Sequence, residues 1–85
     1  MNDESLIESL LPAVEQQLES DQTPYVKATF NRLVEQEKIS PDEAKELIAI
    51  CLADESNRMY IDKRDFDIQR YQQLLENLPS ELTEE

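Results

Sequence analysis

The stretch TPYVKATFNRLVEQEKISPDEAKELIAICL, residues Thr23–Leu52, decides the fold, because it carries two helix starts and two apolar stripes in succession. Thr23-Pro24 reads as the first start. A threonine oxygen can accept from an orphan amide, and proline at the first helical position gives up an N–H that would be unpaired anyway. Val26, Phe30, Leu33 and Val34 then fall on one helical face. Ser40-Pro41-Asp42-Glu43 is the sharper start, with a capping serine, proline at the first position and a glutamate placed to reach back to the serine N–H. Ile39 can staple onto Ala44, and Asp42 and Glu43 sit where the helix dipole favours negative charge. Ala44, Leu47, Ile48, Cys51 and Leu52 form the next stripe. Only Glu37, Lys38 and Ile39 separate the two helices, so they must pack as neighbours.

Outward from this hairpin the pattern stays helical. Ile7, Leu10, Leu11, Val14 and Leu18 share a face, interrupted by Pro12, which either bends one helix or splits it in two. A continuous apolar face with a bend is the expectation, with Ser20-Asp21-Gln22 as linker. Beyond Leu52 the stripe weakens through Ala53–Arg58 and returns at Met59, so the third helix is expected to end near Tyr60 or Ile61. After the charged connector Asp62–Asp65, Asp67 reads as a cap with Phe66 stapling onto Tyr71. Ile68, Tyr71, Leu74, Leu75 and Leu78 make the last apolar face, closed by Pro79-Ser80. The fold class is therefore all-α, a compact bundle of four helices, or five if Pro12 splits the first. A single domain is expected over 1–79, with a frayed acidic tail over 80–85.

Composition narrows the function. The net charge is −12, with six acids and no base in residues 1–26 and four acids and no base in residues 71–85. Direct nucleic-acid binding needs clustered Lys and Arg and is not expected; such charge suits solubility or a basic protein partner. One cysteine provides no internal disulfide and fits a reducing cytosol. The acidic N-terminus is unlike a signal peptide, and the longest apolar run, Leu47–Ala53, is too short to cross a membrane.

Glu15-Gln16-Gln17-Leu18, Pro24, Arg32-Leu33, Ser40-Pro41-Asp42-Glu43-Ala44, Phe66-Asp67, Arg70-Tyr71 and Leu78-Pro79 together resemble a family of small bacterial helical domains of unknown function, over roughly residues 11–79. The resemblance implies the helical fold and no activity. Two positions depart from it. Ile7 and Leu11 stand where histidines tend to occur, and Lys38 stands where a glycine is usual at the hairpin turn.

With no histidine, Ser–His, Cys–His and His-ligated metal sites are excluded, and with no glycine so are phosphate-cradling loops. No cofactor is expected. Asp62, Asp65 and Asp67 lack the calcium-loop spacing and read as a solvated cap region. Cys51, on an apolar stripe, reads as a buried inert thiol. Glu43 and Glu46 read as a solvated face. Arg58, Tyr60, Lys63 and Arg64 gather cations and an aromatic in an acidic chain and are the candidate interaction surface, against the plainer reading that they pair internally with Asp62 and Asp65.

The leading expectation is a non-enzymatic interaction module of the bacterial cytosol, binding another protein or itself as a homodimer. An acidic nucleic-acid mimic that occupies a basic protein is the alternative, and a carboxylate-only metal enzyme ranks third.

Overall fold

The computed structural model describes the backbone of residues 3–78 and the side chains of residues 8–78. Pro79, the tail expected over 80–85, and the side chain of Ile7 lie outside the described residues. Four helices follow in order: α1 Asp3–Glu19, α2 Pro24–Glu35, α3 Pro41–Asp62 and α4 Ile68–Glu76. No strand occurs among the described residues. The fold is the expected all-α bundle of four helices.

Pro12 does not split α1. It removes the amide that would serve the Glu8 carbonyl, but Glu8 and Pro12 are both exposed, so water can take that amide's place. Thr23 does not cap α2 as expected. Its hydroxyl instead donates to the Gln17 carbonyl at 2.8 Å, which ties the elbow back onto the end of α1. Ser40 does cap α3, accepting from the Glu43 amide at 3.2 Å. At the end of α2 the chain turns through Lys38 at φ 60°, and the Ile39 amide reaches the Leu33 carbonyl at 3.0 Å.

The 22-residue α3 is the spine and packs against α1, α2 and α4; α2 packs on α1 and α4 as well. Its stripe of Ala44, Leu47, Ile48, Cys51 and Leu52 is buried as expected, together with Ala49. Val14 from α1, Val26 and Leu33 from α2, and Tyr71 and Leu75 from α4 complete the core, which Leu78 closes. Tyr71 binds the helices to one another. Its ring meets Tyr25 edge-on at 6.0 Å and Phe66 at 5.4 Å, and its hydroxyl donates to Gln17 Oε1 at 2.7 Å. Burial pushes the Tyr71 hydroxyl well above its ordinary pKa, with the neighbouring Cys51 and Tyr25 adding smaller pushes. The expected staple of Phe66 on Tyr71 is formed, whereas Ile68 is 52% exposed rather than part of the core face. Phe66 covers Tyr71 from the preceding turn, so α4 meets the core only from its second turn.

The C-terminal end of α4 is held from across the bundle. Arg32 on α2 donates to the Leu75 carbonyl, which also accepts from the Leu78 amide, and to the Leu78 carbonyl just beyond the helix, each at 2.9 Å.

A left-handed residue other than glycine costs about 1–2 kcal/mol. Lys38→Gly is therefore expected to stabilise the chain by about 0.5–1 kcal/mol once the greater freedom of the unfolded glycine is set against it. Thermal melting checks this, with an expected rise in Tm of a few degrees.

Candidate interaction surface

The surface lies where α3 ends and α4 begins. Lys63, at φ 57°, terminates α3 in the left-handed conformation. The Lys63 and Arg64 amides both return to the Met59 carbonyl, which closes the last turn through a left-handed residue. That reversal points the chain back along α3 and brings Arg64 over Glu55.

Glu55 is the residue the sequence reading passed over. It has 0% exposure, yet it lies under a thin cover: the side chains of Arg64 and Arg70 above it are 30% and 31% exposed. Arg64 forks onto both carboxylate oxygens, at 2.7 Å to Oε2 and 3.3 Å to Oε1. Arg70 donates to Oε1 at 2.8 Å, and the Asp67 amide donates to Oε2 at 2.7 Å. Four donors thus fill the four acceptor sites of one carboxylate. Arg70 also holds Asp54 at 3.0 Å. The Glu55 carboxyl is drawn down from 4.5 to about 2, chiefly by the Arg64 hydrogen bond, then by the Asp67 amide and Arg70, against an opposing push from burial. Arg64 and Arg70 are both raised, first by their hydrogen bonds to Glu55. A signal for Glu55 was available: it falls three positions after Leu52 and four after Cys51, on the continuation of the buried stripe.

The four residues singled out from the sequence separate into two groups. Arg64 is half-buried and committed to Glu55, with Asp62 at 3.5 Å from its Nε. Arg58, Tyr60 and Lys63 are exposed. Arg58 approaches Asp62 at 4.0 Å, and Lys63 makes no ion pair among the described residues. Tyr60 is 81% exposed, and beside it Ile61 is 55% exposed. With Ile68 these are the exposed large apolar side chains of the described residues; Tyr60 and Ile61 lie in the last turn of α3, and Ile68 opens α4. Asp67 caps α4 through the Arg70 amide at 3.1 Å, so Asp62 serves as an ion-pair partner and Asp67 as a cap.

Elsewhere two open hollows flank Ala28 on α2. One, of about 240 Å³, lies between α2 and α4 beside Tyr25, Arg32 and Leu75; the other, of about 450 Å³, lies at the α1–α2 elbow beside Leu18, Pro24 and Lys27. No buried side-chain nitrogen or oxygen among the described residues lacks a hydrogen-bond partner, so neither hollow has such a group to orient a ligand. Cys51 is buried in the core. No helix among the described residues is long and apolar enough to cross a membrane. Compared with known protein families, with characterised proteins and with solved structures, the chain matches none.

Because the folded Glu55 pKa lies below its unfolded value, the stability it contributes is complete above about pH 4.5 and lost as pH falls towards about 2. Glu55→Gln is expected to lose stability at neutral pH and to flatten the melting curve across that acid window relative to the parent; parallel acid melts of the two chains measure the difference. Glu55→Ala, which leaves two arginines facing a void, is expected to cost about 2–3 kcal/mol at pH 7, less than for a deep pair because solvent reaches both arginines. Urea unfolding gives that value directly.

Proposed function

We propose that this chain is a non-enzymatic protein–protein interaction module of the bacterial cytosol, in keeping with its resemblance to small bacterial helical domains. Its docking surface is the last turn of α3 and the connector, with Tyr60 and Ile61 at the centre and Arg58 and Lys63 as flanking cations. The observation that carries the reading is the exposure of two large apolar side chains, Tyr60 and Ile61, in this turn, against faces that elsewhere close on the core. Tyrosine and arginine are the side chains that anchor interfaces most often, since each joins a broad contact surface to directional hydrogen bonding. Arg64 acts from below as a positioning residue, holding the connector on Glu55 while its neighbours face outward. A tip fixed before contact loses little freedom on docking.

A photo-crosslinking amino acid placed at Tyr60, with a control at exposed Gln36, tests the surface in native lysate. Discrete adducts at position 60 and none at position 36 are expected, and equal labelling at both positions, or none at 60, contradicts the proposal. Adducts confined to basic proteins and lost at high salt would instead favour the acidic nucleic-acid mimic. Tyr60→Asp is expected to abolish the adducts formed by a probe at Ile61 while shifting stability by less than about 0.5 kcal/mol, because the side chain is already in solvent.

A further inference from the structure

We propose that α4 is a releasable strap: with the connector, it lifts as one unit from a three-helix body of α1, α2 and α3 that stays folded. The strap is a property of the fold, whatever docks at Tyr60. Three observations converge on it.

The first is how α4 is held. Each helix of the body sends it one polar side chain. Gln17 of α1 accepts from the Tyr71 hydroxyl at 2.7 Å, and Arg32 of α2 donates to the Leu75 and Leu78 carbonyls at 2.9 Å. Glu55 of α3 accepts from Arg70 at 2.8 Å and from the Asp67 amide at 2.7 Å. Hydrogen bonds weaken steeply with distance and angle, so a small lift of α4 loses them together. Arg64, Arg70 and the Asp67 amide, which hold Glu55, all belong to the connector or α4 and leave as a set.

The second is the seam beneath the helix. The hollow of about 240 Å³ opens between α2 and α4, beside Tyr25, Thr29, Arg32, Gln72 and Leu75. Side chains that border a void lose dispersion contacts on that side, so α4 adheres to α2 through Arg32 more than through packing. The first turn of α4 adds little, because Ile68 is exposed.

The third is what remains when α4 leaves. Each of α1, α2 and α3 packs on the other two. Nine of the twelve buried apolar residues of the described core lie on them, and only Tyr71, Leu75 and Leu78 depart with α4. Three mutually packed helices with most of the core keep their fold, whereas a nine-residue helix released from them does not. The domain therefore has a closed form and an open form, and the open one presents the apolar faces of α2 and α3 that α4 covers.

Native-state hydrogen exchange of the full chain, over a series of low urea concentrations, tests the strap. The Tyr71 and Leu75 amides are expected to share one opening, about tenfold or more as populated as the one that releases Leu33, Ile48 and Leu52. Its dependence on urea is expected to be shallower, because less surface is exposed. Ala49→Gly separates the two openings. Ala49 lies inside α3, which stays helical in the open form, so the greater freedom of glycine in the unfolded chain acts on global unfolding alone. Protection at Ile48 and Leu52 is expected to fall by about fivefold, with Tyr71 and Leu75 unchanged. One protection and one urea slope for all five amides overturns the strap, since α4 then leaves only in global unfolding. A loss at Tyr71 and Leu75 that matches the loss at Ile48 and Leu52 in Ala49→Gly overturns it as well.

Discussion

Glu55 is a carboxylate without solvent exposure, surrounded by two arginines and an amide, and the arrangement of α4 depends on it. A helix of nine residues has no stability of its own, so α4 exists only where other parts of the chain hold it. Tyr71, Leu75 and Leu78 hold its apolar side, and Arg32 holds its last carbonyls. Glu55 holds its start, through the Asp67 amide one residue before the helix and Arg70 in the first turn. Such a cluster adds little beyond what apolar residues of the same volume would add. Removing its arginines, however, strands a buried charge at a cost of several kcal/mol. Its effect is a penalty on every alternative placement of α4, and in a domain with so thin a core that penalty is large against the total stability.

The same constraint shapes the outer surface. Arg64 reaches Glu55 only because Lys63 turns left-handed and sends the chain back along α3. A chain with no glycine makes this reversal, and the one at Lys38, with lysine, and so accepts strain where glycine would accept none. Directing Arg64 inward leaves Tyr60, Ile61 and Lys63 facing outward around a braced connector. Support below and exposure above are two consequences of one turn.

Much of this was legible beforehand, for local reasons. Ser40 and Asp67 announce their helices by capping chemistry that operates over three residues, and both caps are formed. The spacing of apolar residues placed the stripes of α2 and α3 correctly, and the staple of Phe66 on Tyr71 is made. Thr23 was misread because its hydroxyl found the Gln17 carbonyl, six residues back, which a cap pattern does not count. Ile68 was misplaced because periodicity says which side a residue faces, not whether the helix has yet reached the core. Glu55 was missed because its charge outweighed its position on the buried stripe, and its partners lie nine and fifteen residues on. Arg32 could not be read at all, since the carbonyls it serves are 43 and 46 residues away. Arg58, Tyr60 and Lys63 stood out as cations and an aromatic in an acidic chain and proved exposed, whereas only contact geometry separates Arg64 from them.

The most direct test of the Glu55 constraint is native-state hydrogen exchange at the Asp67 amide, whose acceptor is a side chain on another helix rather than a backbone carbonyl. A braced connector predicts protection at Asp67 matching that of the Tyr71 and Leu75 amides, because all three open together when α4 leaves, and loss of the Asp67 protection in Glu55→Gln. Exchange of the parent Asp67 amide at the rate of an unfolded chain, with Tyr71 and Leu75 still protected, would show that α4 is held without Glu55 and would contradict the account.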